Sequence, residues 1–86
     1  MCTNGVNAPQ LQGTVEQIDE AVALCRRWTH RAYHSAEEAE LSRSASALLK
    51  AQGLLDEVRA LLDEAGELIE KEAQDGASSG VTVRAL

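Results

Sequence analysis

Between residues 26 and 34 the chain reads Arg-Arg-Trp-Thr-His-Arg-Ala-Tyr-His, which gathers three guanidinium groups, both histidines and both aromatic residues into one short segment. On a helix, which turns about 100° per residue, Arg26, Arg27, His30, Arg31 and His34 share one arc, with Trp28 at its edge. Three uses fit such an arc. Arg forks grip an anionic metabolite or nucleotide through paired N–H donors. Arg and Trp are also the residues that anchor protein interfaces. The plainest use is a solvated positive face near a helix C-terminus, where the helix dipole favours cations. The candidate partner- or anion-binding residues are therefore Arg26, Arg27, Trp28, His30, Arg31 and His34.

Metal and nucleophilic chemistry find less support. His30, His34 and Glu38 stand at i, i+4 and i+8, and two His at i, i+4 can share a metal ion. A helix break expected near residues 33–35 would carry Glu38 out of that row, and no His-Glu-x-x-His pattern supplies a base. Cys25 belongs to an apolar stripe, across the helix from His30, where a thiol acts as a small hydrophobe. No strand precedes a Gly-rich phosphate loop. The sequence reads as a non-enzyme with no metal and no cofactor.

Composition narrows the setting. The chain has 86 residues, room for one domain whose core is marginal without association or other staples. Apolar residues make up 44% of it, yet Trp28 and Tyr33 are the only aromatics and Phe is absent, so a core must be built from Leu, Ala, Val and Ile. Packed helices with small gaps use such residues. The net charge of −6 does not suit a nucleic-acid binder, whose affinity rests on Lys and Arg against phosphate. Cys2 and Cys25 form no zinc or redox spacing, which fits a reducing compartment. With no apolar stretch long enough for a signal peptide or a membrane span, a cytoplasmic location is expected. The Ala, Leu, Glu and Arg bias suggests a bacterial or phage origin.

The elements that must carry these residues are helices. Residues 1–13 contain Asn4, Gly5, Asn7, Pro9 and Gly13 without periodicity and read as a disordered leader. Thr14 with Gln17 then forms a capping-box pattern, so helix 1 is expected over about 15–33. Its apolar stripe is Val15, Ile18, Val22, Cys25, Thr29 and Ala32. A second stripe begins at Leu41 out of phase with the first, and Ser35 with Glu38 offers another capping box, so the turn is placed at 33–35 and helix 2 over about 36–74. Gly53 is the rival turn, giving a hairpin of 15–51 against 54–74. The fold class is all-α, a helical hairpin over residues 14–75.

Residues 54–74 form three heptads, LLDEVRA, LLDEAGE and LIEKEAQ. Leu41, Leu48, Leu55, Leu62 and Ile69 form an a row, Leu54, Leu61 and Leu68 a g row, and Ala51, Val58 and Ala65 most of the d row. A parallel zipper carries charge at g, so Leu there makes the strip too wide for one neighbour. Small residues at d suit two flanking helices in a bundle. Helix 2 would span about 58 Å and helix 1 about 30 Å, leaving half the leucine strip uncovered. Self-association into an antiparallel helical bundle is expected, through Leu41, Leu48, Leu54, Leu55, Val58, Leu61, Leu62, Leu68 and Ile69.

Charge and the tail complete the reading. Residues 63–75 hold six acidic residues and one Lys, opposite in sign to the cluster at 26–34, and an antiparallel dimer of hairpins would bring the two together. Residues 76–86 read as a flexible tail whose Val81 and Val83 would suit strand addition to a partner if they act at all. The function expected is that of a self-associating adaptor or inhibitor, with itself and another protein as partners. The alternative is an oligomeric binder of an anionic ligand through Arg26, Arg27 and Arg31.

Overall fold

The computed structural model describes residues 8–79, and side chains as far as residue 75. Two helices, α1 (Ala8–Glu38) and α2 (Ser42–Ser79), pack antiparallel as a hairpin 60 × 18 × 17 Å in extent. Those parts of the expected leader and tail that fall at 1–7 and 80–86 lie outside the described residues.

α1 is longer than its capping box implies, and α2 begins at Ser42, later than the Ser35 capping box implies. Pro9 sits in the first turn of α1, where its missing N–H leaves no bond unmade. Thr14 is therefore interior, and its hydroxyl donates to the Gln10 carbonyl at 3.2 Å instead of capping. Ser35 is interior as well. With 31 residues in α1 against 38 in α2, the first helix runs beside most of the second. The leucine strip is thus not left bare over half its length; what stays uncovered is a lateral side, described below.

The turn lies at residues 39–41, after the expected 33–35 and well before Gly53, which is inside α2. It is a Schellman motif: the Leu41 N–H donates to the Ala36 carbonyl at 2.9 Å and the Glu40 N–H to the Glu37 carbonyl at 3.0 Å. Glu40 takes the left-handed conformation, φ 62°, that glycine usually fills. An L side chain there costs about 1–2 kcal/mol, partly offset because Glu is less free than Gly when unfolded. Glu40→Gly is expected to stabilise the hairpin by about 0.5–1 kcal/mol in urea denaturation; a loss of stability would show that the Glu40 side chain contributes more than its backbone costs.

The inner seam follows a strict alternation of three and four residues on both helices. On α1 the half-buried or buried rows are Val15, Val22, Thr29 and Ala36, interleaved with Gln12, Asp19, Arg26 and Tyr33. On α2 they are Leu48, Leu55, Leu62 and Ile69, interleaved with Ala45, Gln52, Arg59 and Gly66. Apolar and polar layers alternate along the hairpin. Polar residues are tolerated because they pair: Arg59 Nε donates to Asp19 Oδ1 at 3.0 Å, and Gln12 Nε2 donates to the Gly66 carbonyl at 3.0 Å.

This seam corrects the expected face of α1. Ile18, Cys25 and Ala32 are exposed, because the helix is rotated to bring Asp19 to Arg59 and Gln12 to Gly66. Cys25 is accordingly an exposed thiol and not a core residue. Among the described residues, Ala36 and Ala45 at the turn are the only buried hydrophobic residues. Two helices alone have no interior.

Candidate functional site

The expected cluster is dispersed by the helix it lies on. Arg26 faces the seam, where its Nε donates to Asp56 Oδ1 at 3.0 Å, so its charge is already matched. Arg31 lies over the Trp28 ring, 4.8 Å from the centroid. Arg27 is exposed and turns to neither. The three guanidinium groups do not converge on one point within the hairpin.

The histidines form a short relay. His30 Nδ1 is 2.9 Å from Gln52 Oε1, and His34 Nε2 is 3.0 Å from His30 Nε2. An acceptor at Gln52 fixes the His30 proton on Nδ1, which leaves Nε2 to accept from His34. His34 Nδ1 then faces Glu37 Oε1 at 3.7 Å. The two Nε2 atoms hydrogen-bond to each other, and no group of three potential metal ligands gathers among the described residues. Tyr33 donates to Glu37 Oε2 at 2.8 Å, and this hydrogen bond holds its phenol above the ordinary value.

Asp19 and Arg59 are the charged pair within the seam. The hydrogen bond from Arg59 holds the Asp19 carboxyl below its ordinary value, and the same bond raises Arg59. A carboxyl whose folded value is depressed adds stability that is complete above its unfolded value, about 4, and is lost as the pH falls through the lower folded value. The wild-type urea midpoint should therefore fall more steeply below about pH 4 than that of Asp19→Asn. Parallel acid slopes would mean that the pair adds nothing to stability.

The two long sides of the hairpin differ sharply. On α1 the row Ile18, Cys25, Ala32 flanks the inner row on one edge; on α2 the matching row is Ala51, Val58, Ala65. Antiparallel helices have opposite rotation sense, so these rows fall on the same side of the hairpin. Beyond them lie Ala21 and Trp28 on α1, and Ala47, Leu54, Leu61 and Leu68 on α2. Leu54, Leu61 and Trp28 are 61%, 63% and 57% exposed. From Leu11 to Ser35 and from Ser44 to Leu68 these rows contain no charged residue.

The other side is mostly polar, with Ala23 and Leu49 as its apolar members. It carries His30 and Asp56 of the contacts above, and Glu16, Asp63 and Glu70 line a common trough there. Cys25 and His30 stand on opposite sides.

The residues expected to mediate self-association divide between two surfaces. Leu48, Leu55, Leu62 and Ile69 face α1, Leu54, Val58, Leu61 and Leu68 face outward on the apolar side, and Leu41 is exposed in the turn. Ile18 and Leu11, absent from that expected set, belong to the outward surface. Their signal was the seven-residue spacing from Leu11 through Ile18 to Cys25. No helix among the described residues is long and apolar enough to cross a membrane. Comparison of the chain with protein-family models, curated proteins and solved structures gives no match, so function is read from this geometry alone.

Proposed function

We propose that the chain is a non-enzymatic interaction module, an adaptor or inhibitor that acts by burying the apolar side of its hairpin in a helical bundle. The observation that carries this reading is the uncharged side itself, with its outward leucines beside the charged opposite side. An apolar patch of that extent is unusual on a free monomer and marks a protein or membrane contact. A helical protein surface suits it better than lipid, because Lys and Arg do not rim it evenly as they would on a membrane-bound helix. Two thiols without a pattern and the Ala, Leu, Glu and Arg bias support a bacterial or phage cytoplasm as the setting.

A photo-activated crosslinker placed at residue 61, and separately at residue 27 on the polar side, tests the surface in the native host. Adducts should form from residue 61 and not from residue 27. Equal yields, or none from residue 61, would remove this reading.

A further inference from the structure

We infer that the occupant of the apolar side is a second copy of this chain, stacked face to face with the two turns at opposite ends in an antiparallel four-helix bundle. The inference rests on the interaction surface proposed above and adds its partner and geometry.

Area favours a partner as long as the hairpin itself. A side of about 60 × 18 Å offers on the order of 1,000 Å² per protomer, which exceeds the roughly 800 Å² per partner of a stable interface. A short docking peptide would leave much of that length exposed. A second hairpin covers all of it.

Side-chain size sets the orientation. Toward the open end of the hairpin the outward rows carry Leu11 and Ile18 on α1 and Leu61 and Leu68 on α2. Toward the turn the same rows carry Cys25, Trp28 and Ala32 on α1 and Ala47, Ala51 and Leu54 on α2, so small residues predominate there. Interiors pack at uniform density, so large residues must meet small ones. With the turns at opposite ends, the leucine half of each copy lies on the alanine half of the other. With the turns together, Leu would oppose Leu at one end and Ala would face Ala across a gap at the other.

The two helices agree on the centre. The Asp19 to Arg59 pair makes residue 21 level with residue 57, and the outward rows of α1 and α2 are each centred at that level. The two-fold axis therefore passes near Ala21 and Val58. Trp28 and Leu54, the large residues in the turn half, then lie level with Thr14 and Leu61 of the other copy.

Charge selects the same arrangement. Along the outer edge of α2, Arg43 and Lys50 lie toward the turn, Glu57 lies level with the axis, and Glu64 and then Lys71 lie toward the open end. Opposed turns place Lys50 of one copy beside Glu64 of the other. Turns together would set Lys50 and Arg43 against Arg31, a like-charge contact that specific interfaces avoid.

The test combines mass and crosslinking. Sedimentation of the full chain at tens of micromolar should give twice the 9.2 kDa chain mass. In a Cys2→Ser, Cys25→Ala background, Val58→Cys and Ala21→Cys should each self-link with a bismaleimide spanning about 10 Å, the spacing of packed helix axes. Arg27→Cys on the polar side should not link. A monomeric mass would overturn the inference, as would self-linking confined to Arg27→Cys. Linking between Ala21→Cys chains and Val58→Cys chains when the two are mixed, without self-linking of either, would show the turns together and overturn the orientation. Photo-adducts from residue 61 to a different protein, with a monomeric mass, would reject the second copy while leaving the interaction surface standing.

Discussion

Replacing Leu55 and Leu62 together by Ala should unfold most of the chain, whereas the same change at their immediate neighbours Leu54 and Leu61 should leave the hairpin folded. Adjacent residues on a helix point about 100° apart, and the seam takes only the second member of the pairs Leu54-Leu55 and Leu61-Leu62. Leu→Ala in a closed core costs 2–5 kcal/mol; here the inner leucines are half-buried, so about 1–2 kcal/mol each is expected. A loss of about 2–4 kcal/mol is most of what so small a domain can have. Leu54→Ala with Leu61→Ala removes side chains already in water, for a change below about 0.5 kcal/mol in dilute solution. The outer pair should act elsewhere: the wild-type melting temperature should rise with protein concentration, and the outer variant should lose that dependence. Equal destabilisation by the two pairs in dilute solution would mean that the leucines are not divided between inner and outer surfaces.

How much of this was legible in the sequence depends on which interaction decides each feature. The all-α hairpin follows from periodicity, but the choice of Leu48, Leu55, Leu62 and Ile69 as the inward row does not, since Leu54, Leu61 and Leu68 repeat at the same seven-residue spacing and face outward. The turn was harder to read. Glu40 in a left-handed conformation leaves no compositional mark, because the two helices together hold a geometry that costs an isolated peptide about 1–2 kcal/mol. Both capping boxes misled for a related reason: a Thr or Ser hydroxyl can bond back to a carbonyl within a helix, as Thr14 does to Gln10 and Thr29 to Cys25.

The rotation of α1 was hidden in its polar residues. Gln12, Asp19 and Arg26 recur every seven positions on the inward edge, but a polar residue at such a position looks solvated until its partner is known. Asp19 is 40 residues from Arg59 and Gln12 is 54 from Gly66, so only the register of the two helices reveals that they meet. The same rotation took Arg26 into the seam and left Trp28 outside. A cluster read as one arc thus became three separate environments.

Replacing Gly13, Gly53 and Gly66 together by Ala should raise stability by about 2–3 kcal/mol, the largest gain expected from changes that remove no contact. All three lie within helices, where glycine costs about 1 kcal/mol relative to Ala through the freedom it loses on folding. A methyl group added at any of them would meet no heavy atom within 4 Å outside the local backbone. For a chain of this size the melting temperature should rise by roughly 10 to 20 °C. Gly13 and Gly53 face solvent, so their two gains should add. Gly66 differs, because it stands in the seam opposite Gln12 beside the open trough between Val15 and Leu62. Its carbonyl still accepts from Gln12 when Ala replaces it, so a gain is expected there too. Single variants separate the three sites by thermal unfolding: gains at 13 and 53 with a loss at 66 would show that the helices approach more closely at the Gln12 layer than these contacts indicate.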